Sequence, residues 1–223
     1  MSYRVLFSDV GNVIALLVFD GFVKALAEMV GLDVETTSQL LYQEMQGETS
    51  VRTDYLKGIH QDILTGAISP ERYRRVLEER FDRSLPAEKF WPIFVDIFEP
   101  NVRIIALWER LRREGRVERI IMLSDADPHR VMRALEINDF RPDAMVVSYE
   151  VGQLKPHEAM FRRALELAQV PPEECIFVDD LADNVAAARE FGIEGVQYLI
   201  GSVGAEAATD ILIGELRALG LLG

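Results

Sequence analysis

Five short apolar runs recur along the chain, and their pattern predicts a buried β-sheet. Within each run the apolar residues are nearly continuous instead of alternating with polar ones, which is typical of strands covered on both faces. The runs are residues 3–8, 119–123, 144–148, 175–178 and 196–200. From the second run onwards, amphipathic helical segments separate them. This strand–helix order predicts an α/β fold with a parallel sheet and right-handed crossover connections.

The helices of this second part are marked by residues typical of helix ends. Asp127 is a suitable N-cap, with Pro128 in the first turn. Another helix is expected to begin at Pro156, and a third to end at Gly192, a favourable C-cap residue. These signals place one helix after each of the second, third and fourth strands.

Between the first and second apolar runs the pattern becomes helical. Ser69 and Pro70 mark one helix start. The other predicted helices are 20–30, 36–46 and 54–65, each followed by a glycine, then a segment around residues 87–98 and a helix from Pro100 to about Glu114. We therefore expect a helical cap subdomain, residues 16–98, inserted into a core made of residues 1–15 and 99–223.

An aromatic cluster lies near the end of the predicted cap, at Phe90, Trp91, Phe94 and Phe98. Such a cluster fits either the interior of the cap or a dimer surface, and the interior is the simpler expectation. The oligomeric state stays open between monomer and homodimer.

Composition and charge narrow the range of partners. The net charge of −13 argues against nucleic acid and anionic membranes, whose phosphates would be repelled. The longest apolar run near the N-terminus, residues 13–19, is too short to span a bilayer. The single cysteine, Cys175, opens an apolar run and is expected to be a buried thiol in a reducing compartment. These features predict a soluble cytoplasmic protein whose partner is a small molecule.

Polar side chains follow four of the predicted strands in turn. Asp9 comes after the first strand, Ser124 after the second, Lys155 in the loop after the third, and Asp179 with Asp180 after the fourth. Each alone would be an ordinary turn or cap residue. Ligands of open α/β sheets bind outside the carboxyl ends of the strands, so four such groups in order favour one shared site.

These groups suit phosphoryl transfer. A carboxylate such as Asp9 can attack phosphorus and form an acyl phosphate. Asp179 and Asp180, together with Asp9, offer the hard oxygen ligands that Mg²⁺ prefers. Lys155 can neutralise a phosphate oxygen, and Ser124 can donate a hydrogen bond to another. The helix that follows Ser124 can direct backbone N–H groups towards the same anion.

The segments that carry these residues resemble the four ordered motifs of the haloacid dehalogenase superfamily. They are "DVGNVI" (9–14), "IIMLSD" (120–125), "GQLKP" (152–156) and "FVDDLADN" (177–184). The likeness runs through nearly the whole chain and is greatest for a phosphatase-like branch whose first motif reads Asp-x-Gly-Asn-Val. It implies a Rossmann-like five-stranded core with an inserted helical cap. It also implies a Mg²⁺-dependent hydrolase that removes phosphate from a small metabolite through an aspartyl-phosphate.

The resemblance also implies a role for each matching residue. Asp9 would be the nucleophile and a metal ligand, and Gly11 would offer its backbone carbonyl to the metal. Asp180 would supply a second carboxylate, supported by Asp179 and Asn184. The transferred phosphoryl group would be held by Ser124, the amide of Asp125 and Lys155.

Two positions depart from the family pattern. Gly11 stands where most of these phosphatases have a second aspartate, whose acid–base role contributes roughly 10²–10⁴-fold in rate. A sugar 1-phosphate, whose leaving group is stable without protonation, would suffer least from this loss, and His60, Asp54 and Glu48 are weak candidates for a substitute. Asp125 stands where asparagine or glycine is usual, and its negative charge would raise the cost of binding phosphate unless the carboxylate points away and only the amide is used.

The sequence leaves two other functions open. One is a catalytically weak or inactive relative that binds a phosphorylated ligand or a protein. The other is a 2-haloacid dehalogenase, which needs no metal and fits the paired acids poorly. Substrate specificity is expected to depend on cap loops such as residues 46–52.

Overall fold

A five-stranded parallel sheet forms the core of the protein, as the apolar runs predict. The computed structural model describes residues 3–41 and 58–223. Its strands are β1 Val5–Ser8, β2 Ala15–Leu17, β3 Phe98–Pro100, β4 Arg119–Ser124, β5 Ala144–Val147, β6 Cys175–Asp179 and β7 Glu194–Gln197. The sheet order is β5-β4-β1-β6-β7. Because β1 is central and pairs in parallel with β4 and β6, the residues that follow these three strands lie at one edge.

Helices connect the strands and form the inserted region. They are α1 Phe19–Val30, α2 Val34–Leu41, α3 Ile59–Leu64, α4 Pro70–Phe81, α5 Ala87–Val95, α6 Val102–Arg113, α7 Pro128–Ile137, α8 Ser148–Val151, α9 Glu158–Ala168, α10 Ala182–Glu190 and α11 Ile200–Ala218. A short 3₁₀ helix, Pro172–Glu174, precedes β6. Within residues 3–41 and 58–223, no helix combines the length and apolar character needed to cross a bilayer.

Both faces of the sheet are covered, which explains why its strands are apolar throughout. Successive residues of a strand point to opposite faces. Leu6 of β1 belongs to one apolar cluster with Trp108 of α6, whereas Phe7 belongs to another with Phe161 of α9. Cys175 is buried in the second cluster, as expected.

A separate apolar cluster joins helices α1 to α5. Its largest buried members are Phe22, Leu26, Tyr73, Phe90 and Phe94. Phe90 and Phe94 are fully buried, as the interior interpretation of the aromatic cluster predicts, while Trp91 and Phe98 are half-buried. The helical insertion therefore has its own core. The domain boundaries at residues 16 and 98 stay a prediction.

The two short strands β2 and β3 were missed by the sequence pattern. They pair antiparallel, with Leu16 opposite Glu99, where the chain leaves the core and returns to it. The helix expected from Pro100 therefore begins at Val102 instead. Three-residue strands carry too little periodicity to be recognised from sequence.

Several helix ends agree with the prediction and others do not. Ser69 and Asp127 cap α4 and α7 through their side chains, and Gly31 ends α1 with a φ of 70°. The helix expected from Pro156 starts at Glu158, because His157 is its N-cap and accepts a hydrogen bond from the Ala159 amide.

The remaining corrections concern segment limits. The last strand was expected at 196–200, but β7 ends at Gln197 and Ile200 begins α11. Of the helices expected at 36–46 and 54–65, the structure describes α2 and α3, and residues 42–57 lie outside the described chain.

Candidate active site

The side chains predicted to form the site meet at the carboxyl edge of the sheet. Ser124 ends β4, Asp179 ends β6, and Asp9 directly follows β1, which lies between them. The Asp9 amide donates to the carbonyl of Val178 on β6 at 2.9 Å, which fixes the backbone at this point. Lys155 lies in the loop that follows α8. The convergence follows from strand order, since parallel neighbours end side by side.

Lys155 lies at the centre of this group and bridges two of the acids. Its Nζ is 2.7 Å from Asp9 Oδ1, 2.7 Å from Asp179 Oδ2 and 2.9 Å from the Leu123 carbonyl oxygen. These three acceptors match the three N–H groups of an ammonium. Burial alone would lower the pKa of Lys155, but the carboxylates of Asp179 and Asp9 outweigh it and raise the pKa, so Lys155 stays charged.

Asp9 sits in an environment with an excess of negative charge. Burial raises the pKa of Asp9 to about 8, the charge of Lys155 opposes this shift, and the carboxylates of Asp179 and Asp180 add to it. Only 6% of Asp9 is exposed. Ionised Asp9 therefore requires more positive charge than Lys155 supplies.

The donor set fits a divalent cation. Asp9, Asp179 and Asp180 are all buried, and each offers a carboxylate oxygen within 4.8 Å of the others. Hard oxygen ligands of this kind suit Mg²⁺, and a divalent charge would offset the like-charge repulsion among the three acids.

Asn184 holds Asp179 in place. Its Nδ2 is 3.0 Å and 3.1 Å from the two carboxylate oxygens of Asp179, and the Leu181 amide donates to Oδ1 at 2.8 Å. Asp179 itself is fully buried. Asn184 therefore lies where the family resemblance places a supporting residue.

Asn12 holds Asp180 and was given no role by the sequence interpretation. Its Nδ2 donates to Asp180 Oδ2 at 3.1 Å, and its Oδ1 accepts from the Leu17 amide at 3.1 Å. Asn12 has a φ of 56°, a left-handed conformation that asparagine tolerates better than most residues. The sequence signal that could have identified this residue was an asparagine in the turn directly after β1.

Gly11 lies in the wall of the site, close to the cap. A Cβ at this position would be 3.3 Å from Leu17 Cδ1, so a larger residue would require Leu17 to move. Metal binding through the Gly11 carbonyl stays a prediction.

Asp125 organises the lysine loop. Its Oδ1 accepts a hydrogen bond of 2.9 Å from the backbone N–H of Lys155. Asp125 is half-buried and also borders the cavity described below. The carboxylate therefore has a positioning contact, and phosphate binding through the Asp125 amide stays a prediction.

A cavity of about 90 Å³ opens beside these residues and extends to the cap. Its polar wall includes Asp9, Ser124, Lys155 and Asn184. Apolar side chains form much of the rest, namely Val10, Leu17, Phe19, Leu64, Ile97, Phe98, Ala126 and Leu181. A cavity of this size and lining suits a small ligand with one anionic end.

Arg130 also lines the cavity, and the sequence interpretation missed it. Arg130 is 2% exposed and lies in the first turn of α7. An arginine on an amphipathic helix is normally a surface residue, so no sequence signal distinguished it.

His60, considered as a substitute acid–base residue or ordinary surface, is neither in the structure. It is 2% exposed, its Nδ1 lies 2.9 Å from Tyr73 Oη, and its Nε2 lies 3.2 Å from the Leu41 carbonyl oxygen. It is part of the cap interior and is not among the described residues that line the cavity. Asp54, Glu48 and the loop 46–52 lie outside the described residues.

Comparisons with known sequences agree with this geometry. A family model described as haloacid dehalogenase-like hydrolase matches residues 71–192. A D-ribitol-5-phosphate phosphatase of Bacteroides thetaiotaomicron is 26% identical over 196 residues, which is 82% of this chain and 93% of that protein. A glyceraldehyde 3-phosphate phosphatase of Pyrococcus furiosus is 35% identical over 97 residues, 41% of this chain and 39% of that protein.

Solved structures share the fold. A HAD family enzyme of Bacteroides thetaiotaomicron, in complex with magnesium and inorganic phosphate, superposes with a TM-score of 0.69 at 18% identity, covering 88% of this chain and 94% of that one. An L-2-haloacid dehalogenase of Xanthobacter autotrophicus gives a TM-score of 0.58 at 13% identity, covering 94% of this chain and 88% of that one. The fold of this chain is therefore shared with solved structures that include a dehalogenase.

Proposed function

The chain belongs to the haloacid dehalogenase-like hydrolases, and from this premise we propose that it is a Mg²⁺-dependent phosphatase of small sugar or polyol phosphates. The observation that carries the proposal is the contact between Asp9 and Lys155 at 2.7 Å, beside Asp179 and Asp180. The activities for which two relatives are named, on D-ribitol 5-phosphate and glyceraldehyde 3-phosphate, support the substrate class.

Asp9 is the proposed nucleophile. Because Lys155 holds Oδ1, the other carboxylate oxygen, Oδ2, is assigned to attack phosphorus. The new Oδ2–P bond forms as the bond between phosphorus and the leaving oxygen breaks, which gives an aspartyl-phosphate. Water then attacks phosphorus, releases inorganic phosphate and restores the carboxylate.

The three acids supply the proposed metal site. Asp9, Asp179 and Asp180 would hold Mg²⁺, together with the Gly11 carbonyl, while Asn184 and Asn12 orient the two neighbouring carboxylates. When bound, the metal would neutralise phosphate oxygens and so reduce the repulsion between the nucleophile and the substrate.

The phosphoryl group is expected to bind between β4 and the lysine loop. Ser124 and Lys155 line the cavity next to Asp9, so a hydroxyl donor and an ammonium face the same space. The charge of Lys155 would stabilise the negative charge that develops on the phosphoryl oxygens. The amide of Asp125 is the third proposed donor.

The leaving group must depart without an acid at position 11. We expect the leaving oxygen to take its proton from water, which favours leaving groups that are stable as anions. Hemiacetal oxygens, as in sugar 1-phosphates, lose their proton more readily than ordinary alcohols. Substrates of this kind should therefore be turned over faster than esters of simple alcohols.

Phosphate release tests the proposal. Sugar and polyol phosphates, with phenyl phosphate as a generic ester, are incubated with Mg²⁺ or with a chelator. We expect Mg²⁺-dependent turnover that falls to background in Asp9→Asn. Asp183→Asn is the matched control, because it makes the same change at an exposed acid in the first turn of α10, a few residues after Asp179 and Asp180, and should retain activity.

The other outcomes identify the alternatives. Folded protein that binds phosphate esters in a Mg²⁺-dependent manner but hydrolyses none would favour the inactive ligand-binding relative. Release of halide from a 2-haloacid in the presence of chelator would favour the dehalogenase.

A further inference from the structure

Ser8, the last residue of β1, is a polar side chain in a strand that is otherwise apolar. It is fully buried and directly precedes Asp9, the proposed nucleophile. Burying a hydroxyl costs free energy unless hydrogen bonds compensate for the lost hydration. The partners of Ser8 therefore show what this serine does in the core.

Two hydrogen bonds fix the orientation of the Ser8 hydroxyl. Its Oγ accepts from Trp108 Nε1 at 3.2 Å and donates to the backbone carbonyl oxygen of Asp9 at 2.9 Å. An indole N–H can only donate, so Ser8 Oγ must be the acceptor in the first bond. The single proton of the hydroxyl is then directed to the Asp9 carbonyl. The bonds therefore run in one direction, from Trp108 through Ser8 to the peptide that follows Asp9.

Trp108 is held firmly against β1. It is fully buried on α6 and belongs to the same apolar cluster as Leu6. Leu6 and Ser8 are two residues apart on β1, so their side chains point to the same face of the sheet. Side chains in a close-packed interior have little room to move. The indole N–H is therefore a donor in a fixed position.

The backbone is held on both sides of the Asp9 Cα atom. The Asp9 amide donates to the Val178 carbonyl at 2.9 Å, and the Asp9 carbonyl accepts from Ser8. Fixing both peptide groups fixes the direction of the Cα–Cβ bond. The carboxylate is then held at Oδ1 by Lys155 at 2.7 Å. The position of Oδ2, the proposed attacking atom, is set by these three contacts together.

The helix that carries Trp108 also holds the far end of the turn after Asp9. Asn101, which directly precedes α6, donates from Nδ2 to the Val13 carbonyl at 2.8 Å. This contact does not involve Ser8, so the turn should persist when the Ser8 hydroxyl is removed. The effect of that removal should then be concentrated at the peptide that follows Asp9.

We propose that Ser8 and Trp108 are positioning residues that hold the peptide after Asp9 and so aim the Asp9 carboxylate at phosphorus. The inference rests on the proposed phosphatase function and adds the part of the core that orients the nucleophile. Neither residue is among the described residues that line the cavity, so both act through Asp9. Alignment of this kind matters for rate, because a displacement of about 1 Å can cost about 100-fold.

The test is steady-state hydrolysis, at saturating Mg²⁺, of whichever of phenyl phosphate and D-ribitol 5-phosphate the wild type hydrolyses faster. In Ser8→Ala, kcat should fall by about 10- to 100-fold, because the nucleophile loses its alignment. KM should change by less than about threefold, because the groups that bind the phosphoryl group are retained.

Trp108→Phe removes the N–H group and keeps an aromatic ring in the core. It should lower kcat by about 3- to 10-fold, the range of one hydrogen bond between neutral groups. Trp91→Phe is the matched control, because it makes the same change at a half-buried tryptophan of the cap and should leave kcat and KM unchanged.

The double variant Ser8→Ala, Trp108→Phe separates positioning from packing. If the two residues act as one chain of hydrogen bonds, the loss of the indole N–H has no further effect once the hydroxyl is gone. The double variant should therefore match the kcat of Ser8→Ala within about twofold. It also avoids leaving a buried N–H donor unpaired, which guards against misfolding. Urea unfolding measures the stability of each variant.

The outcomes separate this inference from the proposed function. Lower stability in urea with unchanged kcat in these variants would show that the pair only packs the core. Effects on kcat that multiply in the double variant would show that the two residues act independently. Either result overturns the inference and leaves the phosphatase proposal intact. Wild-type protein that hydrolyses neither ester with Mg²⁺ overturns the phosphatase proposal, and this inference with it.

Discussion

Asn12 donates a hydrogen bond to the carboxylate of Asp180, and Asn184 donates to the neighbouring carboxylate of Asp179. Residues that hydrogen-bond to metal ligands hold those ligands in orientation, and replacing them typically weakens metal binding or activity. Asn12 also bonds the Leu17 amide at the entry to the cap, so the turn after β1 links a proposed metal ligand to the inserted region.

Asn12→Ala should therefore weaken Mg²⁺ binding. We expect the Mg²⁺ concentration for half-maximal activity to rise by about 10- to 100-fold, with kcat at saturating Mg²⁺ changed much less. The measurement is initial rate against Mg²⁺ concentration. Asn138→Ala is the control, because the Asn138 side chain donates a hydrogen bond to the Ala134 carbonyl of α7. An unchanged Mg²⁺ dependence in Asn12→Ala would rule out this role.

At the scale of elements, His60 joins three cap helices. It lies on α3, contacts Tyr73 of α4 and approaches the last carbonyl of α2. Burial lowers the pKa of His60 to about 4, because the charged imidazolium would lose its hydration. The neutral ring is therefore the form that the cap accommodates.

Acid should destabilise the cap through His60. An unfolded histidine has a pKa near 6.5, so between that value and 4 the unfolded state binds the proton and stability falls as pH falls. Between pH 7 and 5 this single group should cost about 2 kcal/mol. Between pH 7 and pH 5, the free energy of unfolding measured in urea should fall by about 2 kcal/mol more in wild type than in His60→Gln. Identical pH dependence of the two proteins would contradict the assignment.

The elements were largely predictable, whereas their contacts were not. The five sheet strands and the caps Ser69 and Asp127 followed from local periodicity and end signals. β2 and β3 were missed because they are short. The convergence of Asp9, Ser124 and Asp179 was foreseeable because each follows a predicted parallel strand and so lies at the carboxyl edge of the sheet.

Side-chain partners at the site depended on the packing of distant segments. Asp125 accepts a hydrogen bond from the Lys155 amide 30 residues away, and Arg130 donates to the Phe94 carbonyl of α5, 36 residues away. No local pattern encodes such contacts, so residues of this kind were missed or were assigned the wrong surroundings.

At the scale of the whole molecule, hydrogen bonds made by Ser148 connect the cap to the core. Ser148 of α8 donates from Oγ to the Leu64 carbonyl of cap helix α3 at 2.6 Å and accepts from the Ala126 amide at 3.1 Å. Close by, a Cβ on Gly66 would lie 2.5 Å from the Tyr149 carbonyl oxygen, so glycine permits the close approach. Leu64 and Ala126 both line the cavity, so this contact also shapes the site.

Ser148→Ala should loosen this junction. The change leaves two buried backbone groups without their partner, which costs about 1–3 kcal/mol. We expect a lower free energy of unfolding in urea and a higher KM for the substrate. Ser202→Ala, at an exposed position of α11, is the control and should match wild type. Unchanged stability and KM in Ser148→Ala would show that the cap is held by other contacts.

In the proposed reaction, Asp9 becomes phosphorylated during turnover. The most direct measurement is rapid acid quenching of the enzyme with ³²P-labelled substrate and Mg²⁺, followed by proteolysis and location of the label. We predict label on the peptide that contains Asp9, lost on treatment with hydroxylamine and absent in Asp9→Asn. Turnover without label on that peptide, or label on another residue, would contradict the account.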